Sequence, residues 1–205
     1  MPIKLPKPLL DKGNTLSYSL RQRKTTREIS DRKLDPRMLS DLLWAAWGVN
    51  RKTGPFGIPG RTAGSASNSQ EIDVYVILEE AIYLYDGIKH TLEPVVAGDY
   101  RALSINPGQV DMVKHTPVNL IYVADINKLA NTSGYQEPGL QDPEVQKSYY
   151  FADTGLIAGN VYLFAASQGL AAWFHNCNKP ELAKILMLRP DQRVLFGQTI
   201  GYPIR

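Results

Sequence analysis

The longest apolar stretch of the chain, residues 151–174, reads FADTGLIAGNVYLFAASQGLAAWF and constrains the fold more than any other feature. Its length approaches that of a membrane-spanning helix, but Asp153, Asn160 and Gln168 interrupt it. Because such polar side chains are costly in a lipid bilayer, we expect a long helix inside a protein core. Gly169 predicts the end of this helix, and LAAWF predicts a short strand after it. The remaining elements must therefore cover a long central helix.

Alternating apolar residues predict the strands of a sheet. Residues 72–77 follow the two-residue period of a half-buried strand, AIYLYD predicts a second strand, and Asp86-Gly87 predicts a turn into a third. The runs PVNLIYVAD and RVLFGQTIGY predict a further buried strand and a closing strand. Since tight turns join the first three strands, we expect an antiparallel meander.

Capping residues and helical spacing predict two helices before the meander. Asp35 and Pro36 supply an N-cap and a first-turn proline, and apolar residues recur at helical spacing as far as Trp47. Gly48 ends this helix. The earlier run TLSYSLRQRK predicts a helix that begins at Thr15.

Two segments predict long loops. Residues 50–64, NRKTGPFGIPGRTAG, are rich in Gly and Pro, and a loop of this length in a compact domain is more often functional than accidental. Residues 127–144, NKLANTSGYQEPGLQDPE, predict a second loop or lid. Further on, Asn178 and Glu181 have the spacing of a capping box for a last helix.

Strands and helices are intermixed along the chain, which favours the α+β class with helices layered on a sheet. A chain of 205 residues is long enough for one full domain, which we place at residues 14–205. Residues 1–13 begin MPIKLPKPLL, and these prolines leave little capacity to pair or coil. We therefore expect residues 1–13 to be an extended arm on the surface or on a partner.

Charge and cysteine content exclude several classes of partner. A formal net charge of +3 without a basic stripe gives no reason to expect nucleic acid, and we expect no membrane partner. The single cysteine, Cys177, excludes an intrachain disulfide, and the three histidines share no metal-ligand spacing. With no signal-peptide core at its start, we expect a cytoplasmic protein, although a processed periplasmic form would look the same.

Within RQRKTTRE, residues 23–27 gather three cations and two hydroxyls at the end of the first helix. Arg23, Lys24 and Arg27 surround Thr25 and Thr26. A phosphate would satisfy all five, because Arg binds its oxygens through a rigid fork, Lys as a point charge and Thr as a neutral donor. The same cations would also complement the helix dipole as a solvated cluster. The segment alone leaves both interpretations open.

The segment GSASNSQ brings hydrogen-bonding side chains to the entrance of the first meander strand. Ser65, Ser67, Asn68, Ser69 and Gln70 precede the strand directly. Such groups suit a flat, hydrogen-bonding ring such as a flavin or nucleobase. They equally suit a serine-rich turn whose side chains cap their own backbone.

Four segments, in order, resemble the nitroreductase family of flavoproteins. RQRKTTREIS is similar to the family's Arg-Arg-Ser-x-Arg opening, and GSASNSQEIDVYVI to its Pro-Ser-x-x-Asn-x-Gln segment entering a strand. ADTGLIAGNVYLFAASQGLAAWF resembles its long central helix and the strand after it, and GQTIGYP its closing strand. LLWAAWGVNR, RTAGSASNSQEIDVYV and YLYD are most similar to the branch of SagB-type and azoline dehydrogenases.

The resemblance implies a fold, a cofactor and partners. The fold would be a layered α/β/α sandwich with a mainly antiparallel sheet, a long central helix and a homodimeric assembly. The cofactor would be FMN, one in each of two sites at the subunit interface. The reaction would pass hydride from NAD(P)H through flavin N5 to a small acceptor such as a nitroaromatic or a quinone.

The resemblance also implies which residues bind the cofactor, and it assigns no catalytic residue. The phosphate and ribityl end would be held by Arg23, Lys24, Thr25 and Arg27, with Arg205 as a further cation. The flavin or its ribityl chain would be approached, from the partner subunit, by Ser65, Ala66, Asn68 and Gln70. Polar groups near the reactive part of the ring, including a backbone amide, would come from Asn176 and Cys177.

Two other functions stay open from the sequence. One is an FMN-dependent dehydrogenase of peptide azoline rings, because several segments resemble the SagB-type branch. The other is a flavin-binding protein that does not turn over.

Overall fold

A seven-stranded antiparallel sheet forms the middle layer of the computed structural model, which describes residues 1–8, 15–133 and 141–204. The strands of the described residues are β1 (Ile3–Lys4), β2 (Val49–Arg51), β3 (Gly60–Arg61), β4 (Ile72–Ile77), β5 (Ala81–Asp86), β6 (Thr91–Ala97), β7 (Val118–Asp125), β8 (Ala171–His175) and β9 (Gln192–Gly201). Their order in the sheet is β1-β6-β5-β4-β7-β9-β8, and β2 pairs with β3 in a separate ribbon. The sheet therefore ends at β8, which is an edge strand.

Five helices of the described residues surround the sheet. They are α1 (Leu16–Gln22), α2 (Pro36–Trp47), α3 (Ile126–Ala130), α4 (Pro143–Gln168) and α5 (Lys179–Ile185). The Asp35 side chain accepts from the amides of Arg37 and Met38, as an N-cap of α2 should. Gly169 adopts a left-handed φ of 68° directly after α4 and ends that helix.

The two faces of the sheet carry separate apolar layers. Successive residues of β4 point to opposite faces, so Val74 and Val76 pack with α2 and α4. Tyr75 and Ile77 pack on the other face with Leu182 and its neighbours on α5. The central strand β7 lies between β4 and β9, and all eight of its residues are buried. This arrangement confirms the predicted α/β/α sandwich, its antiparallel sheet and its long helix.

The first residues of the chain pair with the sheet, contrary to our expectation. Ile3 pairs with Leu92 and Lys4 with Thr91 on β6, and Leu5 is buried beside them. The prediction that the prolines prevent pairing was wrong at Ile3 and Lys4, because the prolines of this segment stand outside the paired residues. Part of the predicted arm, residues 9–13, lies outside the described residues. The division into residues 1–13 and 14–205 stays a prediction.

Two local predictions differ from the structure. The predicted loop of residues 127–144 contains most of α3 and the first residues of α4, and its residues 134–140 lie outside the described residues. Asp125 and Asp142 cap these two helices, so the local signal was present in the chain. The Asn178 side chain makes no capping hydrogen bond, so the predicted capping box does not form.

Candidate functional site

The cation-rich segment of residues 23–27 lies along the edge strand β8. The Arg23 amide donates to Ser19 O at 2.9 Å as the chain leaves α1. The Thr26 amide then donates to Ala172 O on β8 at 2.9 Å. These contacts place the predicted phosphate-binding residues at one end of the sheet edge.

The three cations of this segment are exposed, and its two arginines rest on aromatic rings. The Arg23 guanidinium lies 5.5 Å from the centroid of the Tyr162 ring, and that of Arg27 lies 5.3 Å from the Trp173 ring. Such stacking orients a guanidinium while leaving its donors accessible. None of the ion pairs among the described residues includes Arg23, Lys24 or Arg27. The segment therefore presents positive charge that no described carboxylate neutralises.

Tyr162 on α4 joins this segment to β8. Its hydroxyl oxygen accepts from the Phe174 amide at 2.8 Å and lies 3.0 Å from Thr25 Oγ1. Since a tyrosine hydroxyl has one proton, this arrangement allows Tyr162 to donate to Thr25. In that arrangement the Thr25 proton is left available to another acceptor.

An aromatic cluster continues from Tyr162 across the sheet. Phe174 and Phe196 have ring centroids 4.8 Å apart, and Phe151 lies 5.7 Å from Phe196. Phe151 and Tyr162 are three helical turns apart, so they lie on the same side of α4 and about 16 Å apart along its axis. The cluster offers half-buried ring faces beside the cation-rich segment, and sequence analysis missed it because its members come from three separate elements.

The polar segment of residues 65–70 has a strained backbone. Ser67, Asn68 and Gln70 have φ values of 48°, 54° and 51°, which lie in the left-handed region. Asn tolerates this region better than Ser or Gln does. Strain of this kind persists only where the surroundings fix it, and it concentrates at functional sites.

The side chains of Asn68 and Gln70 fix the preceding Gly/Pro-rich loop. Gln70 Nε2 donates to Pro59 O at 2.6 Å and to Asn68 Oδ1 at 3.0 Å. Asn68 Nδ2 lies 3.3 Å from both Pro55 O and Ile58 O. The predicted flavin-facing amides are therefore already engaged within one chain, and they hold the segment in its strained conformation.

The Arg61 side chain links the same segment to α2. Its Nε donates to Gln70 Oε1 at 2.5 Å and its Nη1 to Trp47 O at 2.8 Å. The guanidinium also lies 4.9 Å from the Trp47 ring centroid, and its burial lowers the pKa of Arg61. Arg61 was not among the predicted site residues, although its position just before the polar segment indicated that it could contact that segment.

Helix α4 holds the other side of the segment. The Ala66 amide donates to Asp153 Oδ2 at 2.8 Å, and the Gln70 amide donates to Ser65 Oγ at 3.0 Å. Asp153 is 5% exposed. The only sequence signal for this contact was an acidic residue within an apolar helix, which gives no indication of its partner.

Asn176 and Cys177 lie at the far end of β8. Asn176 is exposed, and its carbonyl oxygen lies 3.0 Å from His175 Nδ1. The Cys177 thiol is buried in the apolar layer under α5, and this burial raises the pKa of Cys177 to about 12. A ligand at this end of β8 would meet the Cys177 backbone rather than its thiol.

The predicted site residues form separate groups in one chain. Residues 23–27 meet α4 at Tyr162, and residues 65–70 meet it at Asp153. These two positions are nine residues apart, so they project from opposite sides of α4 and lie about 13 Å apart along it. Arg205 lies outside the described residues.

Comparisons with known proteins assign the family. The fold is that of an α+β oxidoreductase. The chain belongs to the nitroreductase family, whose model matches residues 20–202, as the sequence resemblance predicted.

Three relatives illustrate the likeness. A crystal structure described as a candidate nitroreductase from Ralstonia eutropha is 36% identical, with a TM-score of 0.86 over 100% of this chain and 90% of that one. A Methanocaldococcus jannaschii protein described as a candidate nitroreductase is 27% identical over 156 residues, 73% of this chain and 72% of that protein. A chain of the Escherichia coli microcin synthetase complex, solved with a truncated pro-microcin bound, is 19% identical, with a TM-score of 0.69 over 91% of this chain and 73% of that one. This last likeness shows the fold alone.

Within residues 1–8, 15–133 and 141–204, no helix has both the length and the apolar character needed to cross a membrane. In the same ranges, no group of three or more His, Cys, Asp or Glu side chains is placed to hold a metal ion.

Proposed function

We propose that this nitroreductase-family protein uses FMN to pass hydride from NAD(P)H to a small acceptor such as a nitroaromatic or a quinone. The observation that carries the proposal is the exposed cation cluster of residues 23–27 beside β8. Arg23 and Arg27 rest on aromatic rings, and no described ion pair includes the three cations. A phosphate monoester has the charge and the acceptor oxygens that this set requires.

The residues of the edge site fit FMN. Arg23, Lys24, Thr25 and Arg27 would hold the phosphate and the ribityl chain, because together they offer forked donors, a point charge and a hydroxyl. The aromatic cluster beyond Tyr162 offers apolar ring faces to an isoalloxazine, which is itself flat and aromatic. Bound FMN would supply the two-electron hydride chemistry, which amino-acid side chains lack.

The polar segment would form the second half of the site. Ser65, Ala66, Asn68 and Gln70 would approach the flavin or its ribityl chain from the partner subunit. Since Arg61 and Asp153 already fix this segment, it would meet the ring edge with little loss of conformational entropy on binding. This preorganised backbone, rather than free side-chain amides, is the binding surface that we propose.

The remaining predicted contacts are also proposals. Asn176 and the Cys177 backbone amide would lie near the reactive part of the ring, at the opposite end of β8 from the cations. Arg205 would add a cation to the phosphate end. A backbone donor at the ring would stabilise negative charge that develops when the flavin is reduced.

A second copy of the chain would complete each site. In one chain the two segments lie on opposite sides of α4, so one flavin does not meet both. The side of α4 that faces outward carries small and apolar residues, including Gly155 and Leu156, and Leu156 is 53% exposed. Leu16 and Leu20 on the neighbouring α1 are also exposed. An apolar surface of this kind is typical of a subunit interface, and we propose a homodimer.

One spectroscopic experiment tests the function. The purified protein is incubated with FMN, freed of excess flavin and examined for bound-flavin absorbance. We expect retained FMN that NADH or NADPH bleaches without oxygen, and that a quinone or a nitroaromatic reoxidises. Parallel titrations with NADH and NADPH determine which of the two reduces the bound flavin. Protein that stays colourless after the incubation would contradict the proposal.

The same experiment separates the two alternatives. The SagB-like segments and the fold shared with a microcin synthetase chain favour, as a second candidate, an azoline dehydrogenase acting on peptides. That enzyme would bind FMN but be reduced poorly by nicotinamides and well by peptides bearing azoline rings. A flavin-binding protein without turnover would keep its FMN oxidised with every donor.

A further inference from the structure

Two buried carboxyl groups meet beneath the polar segment. Glu71, at the entrance to β4, is fully buried, and Asp153 on α4 is 5% exposed. The Ser69 hydroxyl donates to Glu71 Oε2 at 2.6 Å, and the Ala66 amide donates to Asp153 Oδ2 at 2.8 Å. Each carboxyl therefore accepts a hydrogen bond from the polar segment, and the two carboxyls are also close enough to interact with each other.

One oxygen of this pair has no donor. Glu71 Oε1 is buried and, among the described residues, no protein group donates a hydrogen bond to it. A buried acceptor without a donor costs about 1–3 kcal/mol. The neighbour of Glu71 is Asp153, and two ionised carboxylates would only repel each other. A proton between them removes both penalties.

We propose that Glu71 and Asp153 share one proton and act as a positioning pair that fastens residues 65–70 to α4. With the proton on Glu71, that carboxyl donates to Asp153 while still accepting from Ser69. Asp153 stays ionised and accepts from both Glu71 and Ala66. Every polar atom of the cluster then has a partner, and the strained segment is tied at two points.

The surrounding charges support a retained proton. The other carboxylates at this end of the sheet are neutralised: Asp73 pairs with Lys128 at 2.6 Å, and Asp125 with Arg189 at 2.8 Å. The described ion pairs include no cation on Glu71. Asp153 is the charged group that acts most strongly on it.

Burial and charge act in the same direction on this pair. Burial, and then the charge of Asp153, raises the pKa of Glu71 to about 8, and burial raises the pKa of Asp153 above its ordinary value. The hydrogen bond between them raises the pKa of Glu71 and opposes the rise at Asp153, which places the proton on Glu71. The pair therefore loses its proton near or above pH 8.

Loss of the proton would loosen the flavin-facing segment. Two adjacent negative charges would separate, and the Ala66 anchor would weaken with them. The left-handed conformations of Ser67 and Gln70 would then lose part of their support. Loss of the proton should loosen the segment in the flavin-free protein too. Any consequence for flavin binding rests on the function proposed above.

Hydrogen exchange of the flavin-free protein tests the pair directly. Protection of residues 65–70, corrected for the intrinsic pH dependence of exchange, is measured between pH 6.5 and 9.5. In the wild type we expect protection to fall about tenfold as the proton is lost. In Glu71→Gln, whose amide donates to Asp153 at every pH, we expect protection to change less than about twofold over the same range. Equal pH dependence in the two proteins would overturn the proposal.

Two further variants complete the design. Glu79→Gln removes an exposed carboxylate from the turn between β4 and β5 and should keep the wild-type pH dependence. Asp153→Asn repeats the test if Glu71→Gln fails to fold, because an amide at either position can donate across the pair. The fall in protection should disappear in Asp153→Asn, and a fall of wild-type size there would count against the shared proton.

Flavin titration separates this proposal from the function. If the protein binds no FMN but shows the predicted exchange step, the pair stands and the proposed function fails. If FMN binds and the exchange step is absent, the shared-proton proposal fails and the proposed function stands. If both stand, FMN affinity should fall above pH 8 in the wild type and stay constant in Glu71→Gln.

Discussion

The Ala66 amide donates to Asp153 Oδ2 at 2.8 Å, and 87 positions in the sequence separate the two residues. This contact ties the polar segment of the chain to its longest helix. On another side of the same helix, Tyr162 contacts Thr25 in the cation-rich segment. Helix α4 therefore positions both halves of the proposed flavin site, although the two halves of one chain do not meet.

Replacing Arg23 with Ala should weaken FMN binding by about 1.5–3 kcal/mol, the usual contribution of a hydrogen bond to a charged group. The matched control is Arg21→Ala, which removes a cation from the last turn of α1 outside the segment. Fluorescence titration of FMN measures both. Equal affinities in the two variants would remove Arg23 from the site.

Tyr162→Phe should weaken FMN binding less than Arg23→Ala does. The variant keeps the ring under the guanidinium but removes the hydroxyl that contacts Thr25 and accepts from the Phe174 amide. We expect a loss of about 1–2 kcal/mol in the free energy of unfolding, because the amide loses its acceptor. Urea denaturation measures this loss, and Tyr18→Phe on α1 is the control. No difference between the two variants would show that the hydroxyl has no structural role.

Asn68→Ala should destabilise the Gly/Pro-rich loop and release flavin faster. The substitution removes contacts to two carbonyl oxygens and to Gln70, and Ala tolerates a φ of 54° less well than Asn does. Asn131→Ala, at the residue that follows the short helix α3, is the matched control. The dissociation rate of FMN after dilution measures the effect. Unchanged release would leave Asn68 as a loop residue only.

Stability should fall as the pH rises through the region where Glu71 ionises. The pKa of Glu71 is raised in the folded chain, from 4.5 to about 8, so the folded chain holds a proton that the unfolded chain releases. This contribution is fully present below pH 4.5 and is lost as the pH approaches 8, at up to about 1.4 kcal/mol per pH unit. Urea denaturation of wild type and Glu71→Gln at pH 5, 7 and 9 measures it. The variant should lose less stability, and parallel curves would contradict this assignment.

Local patterns were sufficient to predict the layers of the fold. The period of residues 72–77 and the cap at Asp35 depend on near neighbours in the chain, so β4 and α2 were predicted almost to the residue. The pairing of Ile3 and Lys4 was missed because their partners on β6, Leu92 and Thr91, are far away in the chain. No local rule represents such a contact.

The sequence was sufficient to predict the residues of the candidate site but not the residues that hold them in place. The cations and the polar segment stand out in the sequence because each is a dense local cluster. Arg61, Glu71 and Asp153 do not, because their roles come from burial and from contacts between separate elements. The proposal that Asn68 and Gln70 face a flavin stays untested, and the structure adds that both amides already hold their own loop.

The absorption spectrum of the purified protein with FMN, before and after anaerobic addition of NADH or NADPH, tests the central claim most directly. We expect bound oxidised flavin that one of the two nicotinamides bleaches within the first minutes and that a quinone restores. A protein that retains no flavin, or whose bound flavin stays oxidised with both nicotinamides, would contradict the account.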